Sequence, residues 1–192
     1  MAANSLQELY VEQLQDLYSA ENQIIKALPK MIEAAQSEGL RDALNEHLEV
    51  TRNQATRIEK ICQELGEKPE KEKCKGMEGV LKEGSDLLQE VSEEVRDAAI
   101  IAAAQRVEHY EMAGYGTART YASLLGFDEA AGQLEETLEE EKEADEKLSE
   151  LAEDLNVEAM KAGEEAGSEN EAGKESSRGA RAKKSTRGKQ AA

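Results

Sequence analysis

The sequence predicts an all-α protein, an antiparallel bundle of four long amphipathic helices. Three observations favour this fold class. Ala, Leu, Glu and Lys dominate the 192 residues, aromatic residues make up 3%, and only two prolines occur, a composition typical of helices. Four stretches carry apolar residues at alternating spacings of three and four, which is the period of a helix with one buried face. A long segment rich in Gly and Lys separates the second stretch from the third.

The first two helices are predicted to form a hairpin. Ser5, or the neighbouring Asn4, is a good N-cap, and Glu8 is placed to complete a capping box. The first apolar stripe extends to Met31, and we expect Gly39 to end this helix. The second helix is predicted over about 40–65, followed by a glycine.

The segment 66–86 is predicted to be a crossover that contains one short helical turn around "MEGVLKE". Antiparallel neighbours need only about two to eight connecting residues, so a longer segment indicates a passage along the bundle, as in ferritin-like topologies. The third helix is predicted over about 86–125, with a break in its first half. The fourth follows "GFDEA" and is predicted to end at about Leu155.

Two parts of the chain differ in composition. Residues 1–160 are predicted to form the bundle domain, whereas 161–192 lack apolar periodicity and are predicted to be a disordered tail. The end of this tail is basic, through Lys174, Arg178, Arg181, Lys183, Lys184, Arg187 and Lys189. Contact with nucleic acid is one interpretation of this charge; a solubilising tail that folds back on the acidic body is the preferred one.

The charge balance limits the possible functions. Asp and Glu number 42 against 24 Lys and Arg, a formal charge of −18. This balance disfavours nucleic-acid binding by the whole chain and favours solubility or cation binding. The longest apolar run, "AAIIAAA", is too short to cross a bilayer. The N-terminus has no signal pattern, so we expect a cytoplasmic protein with no membrane contact. Cys62 and Cys74 lack a CxxC spacing and are expected to be reduced.

Polar residues interrupt the apolar stripes near the middle of each long helix. An antiparallel bundle brings such positions to one level, and spacings of three or four place two of them on one helix face. The candidate metal ligands are Glu21, His47, Glu108, Glu111, Glu141 and Asp145, with Gln54 and Glu49 as weaker candidates.

Metal binding would explain these acids, because burying an unpaired carboxylate costs several kcal/mol. Clustered carboxylates with an imidazole suit iron or manganese, so one or two such ions are predicted. The alternative is chance, because a chain with 42 acids will place some on apolar stripes. Glu108 and Glu111 are not both expected to face the bundle axis; one is expected to face solvent or a dimer partner.

Other residues near these acids have simpler interpretations. His109 lies on a different side of the third helix and is expected to pack with a hydrogen bond. Tyr18, Tyr110 and Tyr115 are expected to pack or reach water, with hydrogen bonding to the ligands as the alternative. The glycines near 114–116 allow close helix approach or a dimer face.

Segments in every helix and in the connecting loop resemble the YciE/YciF-type ferritin-like proteins over about residues 4–160. They are "LQDLYSAENQIIKALPKM", "HLEVTRNQATRIEKI", "KCKGMEGVLKEG", "AAAQRVEHYEMAGYGTARTYA" and "TLEEEKEADEKLSELA". The resemblance implies a ferritin-like bundle, often dimeric, with a di-metal carboxylate centre and an association with bacterial stress. It therefore predicts a homodimer.

The resemblance also implies roles for particular residues. Glu21 matches the first-helix ligand of ferritin-like proteins, Glu108 and Glu111 match the third-helix pair, and Glu141 matches the fourth-helix Glu. Asp145 stands where rubrerythrin-like members place a His. The second helix departs from the pattern, because "EHLEVTRNQ" contains no Glu-x-x-His and offers only His47, Glu49 and Gln54. One metal position is therefore expected to be weak, or the site to hold a single ion.

The functional expectation is a ferritin-like protein that binds iron or manganese and carries out ferroxidase or peroxide-consuming chemistry during stress. Two alternatives stay open. One is a non-enzymatic helical interaction protein with a relict metal site and a basic tail. The other is iron storage in a cage, against which the resemblance implies small oligomers.

Overall fold

The computed structural model describes residues 3–187, and side chains for 3–163. This part of the chain contains α-helices and one short 3₁₀ helix but no strand. The helices are α1 Leu6–Ala34, α2 Glu38–Glu64, α3 Lys75–Glu90, the 3₁₀ helix Glu93–Val95, α4 Arg96–Leu124 and α5 Asp128–Arg187. The all-helical prediction is confirmed.

The start of α1 follows the sequence prediction. The Ser5 hydroxyl accepts a hydrogen bond from the Glu8 backbone N–H at 3.1 Å, and the Glu8 carboxylate accepts one from the Asn4 backbone N–H at 2.6 Å. These contacts satisfy N–H groups that the first helical turn leaves without partners.

The turn between α1 and α2 corrects the prediction that α1 ends at Gly39. That glycine lies in the first turn of α2, which Ser37 caps. The distant Asp97, at the start of α4, accepts hydrogen bonds from the backbone N–H groups of Gln36 and Ser37 at 2.8 and 2.7 Å. A capping carboxylate supplied from another helix leaves no local sequence pattern.

The crossover also differs from the prediction. A loop of about ten residues follows α2, and the predicted short turn is the four-turn helix α3, so the third long helix begins at Arg96 and not near Asp86. Met77 and Gly84 of α3 are buried against the core, and a Cβ on Gly84 would lie 3.0 Å from the Ala103 Cβ. The predicted break corresponds to the non-helical residues 91–92.

The four long helices pack around a shared interior, and two apolar clusters show their directions. One cluster joins the end of α1 and the start of α2 to the start of α4, and includes Ile24, Leu44 and Ile100. The other joins the start of α1 and the end of α2 to the end of α4 and the start of α5, and includes Tyr10 and Leu134. Thus α1 and α5 run one way and α2 and α4 the other, which requires the crossover.

The last helix extends beyond the predicted end near Leu155, because α5 is assigned as far as Arg187. Side chains after Gly163 lie outside the described part, so the disordered tail over 161–192 and its basic residues stay predictions, as does the domain boundary at 160. Among the described residues, no helix is long and apolar enough to cross a membrane.

Candidate metal centre

A buried polar layer lies between the two apolar clusters, at the level where the middle of α1, α2 and α4 meets the first third of α5. Each helix contributes to it: Glu21 from α1, His47, Thr51 and Gln54 from α2, Glu108 and Glu111 from α4, and Glu141 from α5. Glu21, Gln54 and Glu141 have no exposed surface, and Glu111 is 1% exposed. The layer exists because polar residues replace apolar ones at stripe positions that face the interior.

Four of these residues converge on one volume. His47, Glu108, Glu111 and Glu141 each offer a ligand atom, and those atoms all lie within 4.8 Å of one another. The His47 Nε2 lies 3.4 Å from the Glu108 Oε1 and 4.0 Å from the Glu141 Oε2. Ligands on one divalent cation lie about 2.0–2.3 Å from it, so such separations suit a shared ion.

Neighbouring side chains donate hydrogen bonds to one carboxylate oxygen of Glu21 and to one of Glu141. The Tyr115 hydroxyl donates to the Glu21 Oε1, and the Gln54 Nε2 donates to the Glu141 Oε1. Gln54 also donates to the Glu140 Oε2 at 3.1 Å. These contacts leave the second oxygen of Glu21 and of Glu141 free, as is usual where a ligand is oriented by an outer hydrogen bond.

Most of the buried side-chain atoms without a hydrogen-bond partner belong to this layer. They are Glu21 Oε2, His47 Nε2, Gln54 Oε1, Glu108 Oε2, both Glu111 oxygens and Glu141 Oε2. Buried polar groups in native proteins nearly always have hydrogen-bond partners. This concentration of buried oxygen and nitrogen atoms without partners therefore needs an explanation. A metal ion supplies one, and the oxygen-rich set with one imidazole fits iron or manganese.

Burial and mutual repulsion oppose the ionisation of these acids. Burial, followed by the charge of Glu141, raises the pKa of Glu21 and of Glu108 well above the ordinary value. Burial, with the charges of Glu21, Glu141 and Glu108, does the same to the pKa of Glu111. Burial also lowers the pKa of His47, which favours the neutral imidazole that binds metals. The folded protein therefore favours the protonated form of these carboxyls more than the unfolded chain does.

The expectation that Glu108 and Glu111 do not both face the interior is wrong, because both are buried in this layer. A spacing of three residues separates side chains by about 60° around a helix axis. The buried stripe of a helix is about 100° wide or more, so both fit within it.

The other predicted ligands lie elsewhere. Asp145 is outside the four-residue cluster and accepts from the Gln105 Nε2 at 3.1 Å, with the His109 Nε2 at 3.5 Å. The His109 side chain is 67% exposed, so its interpretation as a packing histidine is wrong. Glu49 is exposed and pairs with Arg52, as expected for a side chain that points away from the layer.

Sequence reasoning missed two polar groups near the layer. Arg57 donates to both carboxylate oxygens of Glu140, at 2.8 and 3.1 Å, beside Gln54. On another side, the Cys74 Sγ lies 3.0 Å from the Tyr110 hydroxyl, and both donate to Asp16 at 3.1 and 3.2 Å. These residues are far apart in the chain, so no local spacing indicates the contacts. Cys62 and Cys74 are both free cysteines, and their reduced state in the cell stays a prediction.

A pocket of about 210 Å³ connects the layer to the surface between α2 and α5. Its inner wall includes His47 and Glu108. The His47 side chain retains 10% exposure, whereas that of Glu141 has none.

Comparisons with known proteins agree on the family. The family model described as "Domain of unknown function (DUF892)" matches residues 5–161. The chain is 45% identical over 154 residues to Protein YciF of Escherichia coli K12, covering 79% of this chain and 93% of that protein.

Solved structures extend this similarity to the fold. The structure of the E. coli stress protein YciF is 44% identical, with a TM-score of 0.77, over 81% of this chain and 99% of that one. YcfI of Rhodopseudomonas palustris is 43% identical, with a TM-score of 0.74, over 76% of this chain and 94% of that one. The chain therefore belongs to the DUF892 family, which includes the YciF-type proteins and was the family predicted from its sequence.

Proposed function

We propose that this protein is a ferritin-like four-helix bundle that binds iron or manganese at the buried layer. The observation that carries the proposal is the convergence of His47, Glu108, Glu111 and Glu141 in one volume closed to most solvent. The proposed ligands are these four and Glu21, with Gln54 and Tyr115 orienting carboxylates. Asp145 and Glu49 are not proposed as ligands, because their contacts lie outside the layer.

Charge favours two ions over one. The layer holds four carboxylates, namely Glu21, Glu108, Glu111 and Glu141, and a His47 that burial keeps neutral. Two divalent cations neutralise four carboxylates, whereas one leaves two negative charges in a dry interior or requires two protons. Both oxygens of Glu111 lack hydrogen-bond partners, so both would be available to hold metal.

The chemistry proposed for the site is oxidation of ferrous iron or consumption of peroxide during stress, in line with the description of the E. coli relative as a stress protein. A redox-active ion would supply the electrons when bound. The chain itself orients the carboxylates, keeps His47 neutral and excludes bulk water. Tyr115, fully buried and hydrogen-bonded to Glu21, can hold a proton at the edge of the site, because burial raises the pKa of its hydroxyl.

Metal analysis tests the proposal directly. Purified protein reconstituted with Mn²⁺ or with anaerobic Fe²⁺ should retain one or two ions per chain after gel filtration. Glu141→Gln should lose metal, because it removes a charge while preserving shape. Glu139→Gln is the matched control, being an exposed position two residues earlier on α5. Asp145→Asn should also keep its metal. Wild-type protein that retains no ion would refute the proposed function.

A non-enzymatic structural role is the second candidate. It is favoured by the printed description of the R. palustris relative as "a putative structural protein". That role requires no ion, so it predicts the same melting temperature in chelator and in Mn²⁺. Gel filtration separates the proposed homodimer from a monomer and from a storage cage. Cytoplasmic location and contact of the tail with nucleic acid stay predictions.

A further inference from the structure

The pocket between α2 and α5 has features that the proposed ligand set does not use. Two rows of side chains face each other across it, Ala43 and His47 on α2 and Ala144 and Leu148 on α5. Alanines on both helices leave a gap that larger side chains would close. The volume of about 210 Å³ is many times the space that one water molecule needs.

The inner end of this pocket is lined by two residues of the layer, each with a buried ligand atom that lacks a hydrogen-bond partner. His47 and Glu108 line the pocket, and the His47 Nε2 and the Glu108 Oε2 are both buried and unsatisfied. Glu21, Glu111 and Glu141 do not line it. A solute that enters here therefore meets His47 and Glu108 first, and the remaining ligands lie behind them.

The outer end is acidic. Glu46, Glu140 and Glu143 line the pocket, against one lysine, Lys147. Glu140 is already paired with Arg57, whereas Glu143 has no ion-pair partner among the described side chains. A mouth with an excess of carboxylates, on a chain of net charge −18, attracts cations and repels anions.

We propose that this pocket is the port through which divalent metal ions enter and leave the buried layer. This proposal rests on the proposed metal-binding function and adds the path by which ions reach the buried layer. Glu143 attracts the hydrated cation at the mouth, and His47 with Glu108 provides the first inner contacts as water is shed. Lys147 pairs with Glu46 across the mouth, joining α5 to α2. Both partners are about half-exposed or more, so this ion pair is weak and opens readily.

The test compares rates with affinities. A port changes the entry and exit rates by the same factor and leaves the dissociation constant unchanged, because it lies on the path and is not part of the bound state. Ala144→Leu narrows the gap without touching a ligand or a charge. Stopped-flow absorbance of Co²⁺ binding should show entry slowed by roughly tenfold, and release into excess chelator should slow equally. Ala113→Leu, at an exposed position of α4, is the control and should change neither rate.

A second variant tests the electrostatic attraction of the mouth without changing the width of the pocket. Glu143→Gln should slow Co²⁺ entry by about threefold at low salt, with the effect fading in high salt as the charge is screened. Glu146→Gln, at an exposed position on the same helix that does not line the pocket, is its control.

The outcomes distinguish the port from the site. If wild-type protein binds Co²⁺ but Ala144→Leu and Glu143→Gln leave both rates unchanged, the port is refuted and the metal site stands. If Ala144→Leu weakens the affinity and leaves the entry rate unchanged, the port is likewise refuted, because the side chain then acts on the bound state. If wild-type protein binds no metal, the proposed function is refuted, and the port is refuted with it.

Discussion

Replacing Glu111 by Gln tests the physical basis of the metal centre, because it removes one buried charge and almost no volume. Glu111 is 1% exposed, and both of its carboxylate oxygens lack hydrogen-bond partners. In metal-free protein, burial and the neighbouring carboxylates raise its pKa well above the ordinary value of a glutamate carboxyl. The folded state therefore keeps this carboxyl protonated at pH values where the unfolded chain has released the proton.

The sign of the effect follows from this difference. A carboxyl whose pKa is raised by folding stabilises the protein fully only below the unfolded pKa, and that contribution is lost as the pH rises toward the folded pKa. Each pH unit in that window costs the metal-free wild type about 1.4 kcal/mol of unfolding free energy. Glu111→Gln has no such loss. Within that window the variant in chelator should therefore gain about 1.4 kcal/mol of unfolding free energy on the wild type for each pH unit.

With metal bound, the wild type should be more stable than Glu111→Gln. A ligand that binds only the folded state at one hundred times its dissociation constant stabilises it by about 2.7 kcal/mol. The wild type gains this stabilisation and the variant loses most of it. Urea unfolding at pH 5, 6 and 7, in EDTA and in Mn²⁺, measures both effects. Glu146→Gln, at an exposed position, is the matched control for removal of a charge and should keep the stabilisation by Mn²⁺.

The prediction is contradicted if Glu111→Gln in EDTA is less stable than the wild type by the same amount at every pH. That result would mean that the ionised carboxylate is compensated without metal, and that the missing hydrogen-bond partners have no energetic consequence.

Three further predictions concern other contacts. Tyr115→Phe leaves a buried oxygen of Glu21 without its donor, so Mn²⁺ affinity should fall about 10- to 100-fold by equilibrium titration. Asp97→Ala removes the carboxylate that caps the turn between α1 and α2, and should lower the unfolding free energy in urea by about 1–2 kcal/mol with metal content unchanged. Gly76→Ala places a Cβ 2.5 Å from the Tyr110 hydroxyl, so the ring must move, and thermal unfolding should show a loss of about 1–3 kcal/mol.

The helices were predictable because their signals are local. The Ser5 cap and the stripe periods require only neighbouring residues, and Gly66 ends α2 as expected, with a φ of 73° that favours glycine. The errors occurred where a distant group decides the structure. Asp97 caps a turn sixty residues earlier in the chain. Likewise, α3 forms because Met77 and its neighbours find the surface of α4, which the sequence of the loop does not show.

The candidate site likewise has features that local sequence signals predict and features that depend on distant groups. The stripe positions lie in the buried layer, because a helix period fixes which face a side chain occupies; they are Glu21, His47, Glu108, Glu111 and Glu141. Their role as ligands stays a prediction. The period does not fix its exact direction within a broad face. Asp145, one turn beyond Glu141, therefore lies with Gln105 and His109 outside the cluster, although its spacing is favourable.

The placement of the ligands also links binding to the fold. Glu21, His47, Glu108 and Glu141 come from four different helices, and the short-linked pairs α1–α2 and α4–α5 each supply only part of the set. Neither pair alone brings together the four-residue cluster, so under the proposed function metal binding requires both pairs to be docked. Burial and the neighbouring carboxylates raise the pKa of Glu108 and of Glu111, so protonation is the other way for these acids to lose their charge. The two apolar clusters on either side of the layer join the same four long helices, so they support the docking that the proposed site requires.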